Sequence, residues 1–170
     1  MDFNMTDSIT TVRSDKKAMP ILSTLVYCLE NNQVLLMRRK KEPNLGLWVA
    51  PGGKVEAGES PYDCAARELQ EETGLKANKL RFRGLITEVS PQPDWQWMLF
   101  LYVTKDFSGN LIGDHREGEF SWWPVEETYN LSIPQSDRIF FPKVIDFSQP
   151  FYQAKYLYDA KLDLVKVIEQ

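Results

Sequence analysis

The amino-acid sequence predicts an α+β domain, and three observations carry that reading. Most of the chain breaks into short apolar runs separated by turn residues, the pattern of β-strands. One segment, Ser60 to Gly74, carries a full set of helix start and stop signals. A second, shorter helix signal follows between the later strand runs. A length of 170 residues suffices for one domain with a substantial core.

Taken in order, residues 1–19 are polar and charged without apolar periodicity, and predict a flexible or loosely docked arm. Residues 20–170 predict a single domain. Ile21–Glu30 and Val34–Arg39 read as strands joined by Asn31-Asn32, residues that tolerate the positive φ of a hairpin turn. Lys40–Leu47 is a loop marked by Pro43, Asn44 and Gly46. Trp48–Ala50 is a short extended piece leading into Pro51-Gly52-Gly53, where the backbone can approach a metal or phosphate closely. After the helix, Leu80–Val89 is a strand ended by Pro91 and Pro93. Trp95–Lys105 is apolar at both odd and even positions, which predicts a central strand covered on both faces. Asp106–Gly118 is turn-rich, Glu119–Trp123 a strand, and Val125–Tyr129 a short helical turn. Ser136 is expected to cap a helix running to about Phe147, kinked by Pro142. Phe151–Tyr158 and Leu162–Glu169 form a C-terminal hairpin.

Composition narrows the function. A net charge of −4 argues against a binder of nucleic-acid polymers, whose affinity comes from neutralising phosphates. The two cysteines, Cys28 and Cys64, fall in a predicted strand and helix and build no disulfide framework. His115 is the only histidine, so zinc and Ser-His chemistry have little to work with. Neither a membrane-spanning run nor a signal-peptide core is legible, and a cytoplasmic location is the expectation.

The chemistry concentrates in Gly53–Leu75, GKVEAGESPYDCAARELQEETGL. Ser60 suits the N-cap, Pro61 the first helical position, Asp63 the first turn and Gly74 the position past the helix end. Tyr62, Ala65, Ala66 and Leu69 share an apolar stripe. Glu68, Glu71 and Glu72 converge on a neighbouring face, at i, i+3 and i+4. Like charges so close oppose one another, and a divalent cation would remove the conflict; Mg²⁺ prefers such hard oxygens. Alone, a glutamate-rich helix is most simply a solvated face. The register of Gly53, Glu59, Arg67-Glu68-Leu69, Glu71-Glu72 and Gly74-Leu75 together is far more specific.

That register resembles the Nudix box with no position missing. The resemblance extends to LVYCLENNQVLLMRR, PGGKVEAGE, EGEFSWWPVEE and IPQSDRIFFP, which are similar to MutT-type enzymes, 8-oxo-dGTP diphosphatases and related nucleoside triphosphate pyrophosphohydrolases. It implies the Nudix fold, a mixed β-sheet sandwiched between helices. It implies Mg²⁺, with Mn²⁺ as a substitute, held by Glu68, Glu71 and Glu72 and by the Gly52 carbonyl. Arg67 and Glu59 enter as members of the catalytic box, Arg67 orienting the glutamates and Glu59 fixing the loop. A further carboxylate from a loop completes such sites, and either Glu117 or Glu119 fits. Arg39, Gly53 and Lys54 are the implied phosphate contacts.

For the base, the resemblance implies Thr24, Trp97 and Asp137. On the residues alone, Trp97 equally suits the core and Asp137 a helix start. Val49 departs from the pattern, because one branch of the family carries an asparagine there to read the purine. The implied activity is hydrolysis of a nucleoside triphosphate, 8-oxo-dGTP or dGTP preferred, to monophosphate and pyrophosphate. The substrate is a nucleotide, no membrane or nucleic-acid polymer is involved, and the protein is a monomer or homodimer. Two other readings compete: a Nudix enzyme acting on ADP-ribose or another nucleoside diphosphate derivative, and a non-catalytic nucleotide-sensing module.

Overall fold

A computed structural model of the chain describes residues 19–112 and 116–170. The expected arm lies outside the described residues except for Met19, as does His115 within the 106–118 connection.

Strands β1 (Ile21–Glu30) and β2 (Gln33–Arg39) form the hairpin, with Asn31 and Asn32 both at positive φ, 50° and 60°. β3 (Trp48–Val49) pairs with β2. Helix α1 (Pro61–Thr73) carries the box, followed by β4 (Lys76–Val89) and β5 (Gln96–Ser108), each longer than the sequence predicts. β6 (Gly118–Pro124) leads into a 3-10 turn, Val125–Asn130. Helix α2 (Gln135–Ile145) and the hairpin of β7 (Tyr152–Tyr158) with β8 (Leu164–Glu169) complete the described chain.

The sheet is mixed, in the order β3-β2-β1-β5-β4-β7-β8, with β6 added on β2. β1 runs parallel to β5, and β4 parallel to β7; the remaining pairs are antiparallel. β5 lies in the middle, as its two apolar faces predict. Leu101 and Val103 face one core with Tyr27, Ile86 and the α2 residues Phe140, Phe141 and Val144. Tyr102 faces the other core with Val26, Leu35 and the α1 residues Ala65 and Leu69. The two-residue alternation of a strand distributes these side chains to opposite layers. The expectation of a mixed sheet between helices therefore holds.

The start of α2 corrects the sequence reading. Its N-cap is Pro134, without a side-chain cap bond, and Ser136 lies inside the helix. The Ser136 hydroxyl instead reaches Asp137 Oδ1 at 3.3 Å. Pro142 cannot donate to the Arg138 carbonyl, and α2 ends soon after, at Ile145 rather than near Phe147.

Candidate active site

The box helix is anchored at both ends by local chemistry. Ser60 and Asp63 form a reciprocal capping box. Gly74 adopts the left-handed conformation at φ 78° and donates to the Gln70 carbonyl. The Gly52-Gly53 loop is tied across the sheet. The Thr24 and Val26 amides donate to the Gly53 and Pro51 carbonyls, both at 2.8 Å, and Ser23 Oγ donates to the Gly53 carbonyl at 2.9 Å. A Cβ on Gly52 would collide with the Thr24 carbonyl, and one on Gly53 with the Glu68 carboxylate. Gly52 is therefore required by close approach to backbone, whereas a side chain at Gly53 would displace the Glu68 carboxylate.

Arg67 is the hub of the box. Its guanidinium donates to Glu59 Oε1 and Oε2 at 2.5 and 3.0 Å, to Glu68 at 2.8 Å and to Glu71 at 3.3 Å. This planar fork is how one arginine fixes several carboxylates at once. The hydrogen bonds from Arg67 hold the Glu59 carboxyl down at about 2. Glu72 takes a different partner, the Gly52 amide, at 3.0 Å. Burial pushes Glu72 up to about 7; the Gly52 bond and Arg39 oppose that rise, while Glu68 and Glu117 add to it. Burial likewise raises Glu68, against its bond to Arg67.

A cavity of about 930 Å³ opens beside these groups. Glu68, Glu71, Glu72, Gly52, Gly53 and Arg39 line one part of it. Lys54, Thr24, Trp97, Asp137 and Glu117 also line it. Arg67, Glu59 and Glu119 do not. The first two thus stand behind the wall and orient the glutamates in front of them. Of the two loop acids, Glu117 faces the cavity and pairs with Lys41 at 2.7 Å. Glu119, on β6 opposite Arg38, points elsewhere and pairs with Lys40 at 3.3 Å.

Several predicted contacts are engaged within the protein. Arg39 Nε donates to the Pro43 carbonyl at 2.7 Å, which orders the loop at the rim. The Lys54 ammonium sits 5.5 Å from the Trp97 ring centre. Thr24 is fully buried, and its hydroxyl lies against Cys64 Sγ at 3.4 Å and the Gly53 carbonyl at 3.5 Å. It therefore supports the loop.

The donor set suits a hard divalent cation. It is all oxygen, and Glu72 is a desolvated carboxyl beside further acids, an arrangement that a cation stabilises. Among the described residues no three acidic side chains gather about one point. Glu68 and Glu71 lean toward Arg67, and Glu72 toward the Gly52 amide.

The sequence reading missed Glu88, Trp95 and Tyr158, which line the same cavity. Glu88 is buried at 8% exposure and accepts from Tyr158 Oη at 2.7 Å. A signal for it existed: Glu88 follows the buried Ile86 at the strand spacing of two, so it occupies an inward register.

The comparisons agree with this architecture. The chain matches the NUDIX domain family over residues 19–144. It is 33% identical over 124 residues to an uncharacterized Nudix hydrolase, YvcI, of Bacillus subtilis, covering 70% of this chain and 77% of that one. It is 31% identical over 93 residues to an ADP-ribose pyrophosphatase of Methanocaldococcus jannaschii, covering 54% of this chain and 55% of that protein. The crystal structure of a MutT protein from Bacillus halodurans superposes with a TM-score of 0.79 at 27% identity, covering 88% of this chain and 97% of that one. Nudix hydrolases act on pyrophosphate bonds and generally use divalent metal ions. No helix among the described residues is long and apolar enough to cross a membrane. With the box, the sheet and the family match in agreement, the chain belongs to the Nudix hydrolases.

Proposed function

We propose that this protein is a Mg²⁺-dependent pyrophosphohydrolase that converts a nucleoside triphosphate, with 8-oxo-dGTP or dGTP preferred, to the monophosphate and pyrophosphate. The observation that carries the reading is one cavity lined both by the box glutamates with Arg39 and by Trp97 with Asp137. A single nucleotide could then present its phosphates to the first group and its base to the second.

In this reading Glu68, Glu71, Glu72 and the Gly52 carbonyl hold the metal, with Glu117 as the further carboxylate. When bound, Mg²⁺ shields phosphate charge and lowers the pKa of a bound water. The chain's own part is positioning. Arg67, tied to Glu59, Glu68 and Glu71, fixes the carboxylates, and a reaction dominated by positioning and charge stabilisation depends on that rigidity. Arg39 supplies positive charge at the rim for the phosphates, with Lys54 and the Gly53 backbone beside it. Trp97 offers a planar wall to a base. Residues 20–170 work as one domain, in the cytoplasm, as a monomer or homodimer acting on the free nucleotide pool.

A second reading, hydrolysis of ADP-ribose or a related diphosphate, is favoured by the similarity to an ADP-ribose pyrophosphatase. The experiment is a nucleotide panel with product identification, with Mg²⁺ and with chelator. Release of dGMP and pyrophosphate from dGTP supports the first reading. AMP and ribose 5-phosphate from ADP-ribose, with triphosphates untouched, supports the second. Binding without turnover of any substrate would overturn both in favour of a sensing module.

A further inference from the structure

The β4–β5 pair runs past its neighbours in the sheet. β1 pairs with β5 only between Trp97 and Thr104, and β7 pairs with β4 only from Gly84 onward. Residues 76–83 and 105–108 therefore form a two-stranded ribbon beyond the other strands. The register shifts of this pair all fall between Ala77 and Gly84. Such irregularities bend a strand and re-aim its side chains.

One side of the ribbon gathers cations about a single ring. The Phe147 ring centre, just past the end of α2, lies 4.4 Å from the Lys105 ammonium. It lies 5.1 and 5.0 Å from the guanidinium carbons of Arg81 and Arg83. Arg83 is fully engaged, donating to the carbonyls of Val144, Asp146 and Gln149 at 3.1, 2.8 and 2.9 Å. Lys79, Arg81 and Lys105 are exposed and pair with no carboxylate among the described residues. Two acids adjoin them. Asp106 accepts from the Asn78 amide at 2.8 Å, and Asp146 is held by the Ser148 amide and hydroxyl at 2.9 and 2.7 Å. Lys79, Arg81, Val103, Lys105, Asp106 and Phe147 line a groove of about 350 Å³. None of the six lines the larger cavity.

We propose that this groove is a second binding site, which takes the phosphate of a small anion such as pyrophosphate or a nucleoside monophosphate. The proposal is independent of what the larger cavity hydrolyses. Where water has access, a ring face attracts a cation only weakly. Three like charges about one ring also repel one another. A phosphate between Arg81 and Lys105 offsets that repulsion. Arginine meets two phosphate oxygens with its fork, and lysine supplies a point charge. Arg83, locked to three carbonyls, contributes fixed positive charge rather than a donor. Val103 and Phe147 give the groove an apolar side, the usual complement to a few placed polar groups in a small-molecule site. Cations gathered about one ring, in a chain of net charge −4, suit a small anion. A nucleic-acid polymer needs positive charge spread along a track.

A purely structural cluster would pin Phe147 to the ribbon and take no ligand. The test is titration calorimetry of pyrophosphate in metal-free, low-salt buffer, where the box glutamates repel phosphate from the larger cavity. It compares wild type, the double variant Arg81→Gln/Lys105→Gln, and Arg39→Gln. Wild type should bind one pyrophosphate, more weakly as salt rises. The double variant should weaken Kd by roughly tenfold or more. Arg39→Gln should leave it unchanged. Orthophosphate and dGMP are titrated alongside: tighter binding of dGMP assigns the site to a nucleotide, and tighter binding of pyrophosphate to a free anion. Absence of binding by all three at millimolar concentration overturns the proposal, as does loss of binding in Arg39→Gln with none in the double variant. Binding of a single-stranded oligonucleotide alone also overturns it, in favour of a polymer surface. If the double variant does not fold, amide shifts of wild type decide. Pyrophosphate should move Lys79, Arg81, Lys105 and Phe147; shifts confined to Arg39, Gly52 and Gly53 overturn the assignment.

Discussion

At the scale of single residues, two carboxyls of the box are perturbed in opposite directions, and each gives a measurable consequence. Glu72 is raised from 4.5 to about 7, chiefly by burial. A raised carboxyl binds more protons folded than unfolded, so stability falls as pH rises from about 4.5 through about 7. Glu72→Gln removes that penalty, and its amide oxygen can still accept from Gly52. The mutant should melt no lower than wild type in chelator. Any gain should appear above pH 7 and vanish near pH 4.5. It should also lose most Mg²⁺-dependent turnover, because an amide is a poorer ligand than a carboxylate and a charge is lost. Near-normal turnover would remove Glu72 from the metal site. Glu59 is the converse case, lowered from 4.5 to about 2 by its bonds to Arg67. Its contribution is complete above pH 4.5 and is lost as pH falls toward 2. The difference in Tm between wild type and Glu59→Gln should therefore be constant above pH 4.5 and close at lower pH. A gap that persists at acid pH would mean that Glu59 acts through packing rather than through its charge.

At the scale of elements, the Gly52-Gly53 loop matters as much as α1. The two glycines are adjacent but fail differently when substituted. A Cβ on Gly52 meets backbone, the Thr24 carbonyl, and backbone paired in a sheet cannot swing away. Gly52→Ala should destabilise by about 1–3 kcal/mol, read as a lower Tm. A Cβ on Gly53 meets the end of the Glu68 side chain, which can rotate. Gly53→Ala should keep its Tm within a few degrees and lose activity by roughly tenfold or more, through a misplaced Glu68. Equal losses of stability in both variants would show that the Glu68 position is not adjustable. Helix α1 itself is defined by nearby residues: the Ser60–Asp63 box at one end, Gly74 at the other. The start of α2 is not. Ser136 has the composition of a cap, but Pro134 already occupies that position, and the Ser136 hydroxyl turns inward to Asp137.

At the scale of the molecule, the sheet's central strand separates two cores, one under each helix. The cavity draws lining residues from strands β1 to β7, both helices and the loops between them. Residues 1–17 carry no apolar period and no recognisable motif. A chain lacking them should retain kcat within a few-fold. A loss of a hundred-fold would show that this segment contributes to the site or to an interface.

What the sequence determined by itself is what short-range chemistry controls. The hairpin at Asn31-Asn32, the caps of α1, the double-faced pattern of β5 and the register from Gly53 to Gly74 each depend on residues a few positions apart. They were enough to identify the family and its fold. The tertiary structure alone decided which side chains share the cavity. Glu117 and Glu119 are equivalent in local sequence, but in the folded chain Glu117 lines the cavity beside Lys41 while Glu119 pairs with Lys40 outside the lining. Glu88 and Asp137 are separated by β5, β6 and a turn, so their sharing one cavity depends on how α2 docks against the sheet. A glutamate in a strand has the same local preferences whether it faces water or a buried neighbour. Only its long-range partners supply the burial and the charge that change its chemistry.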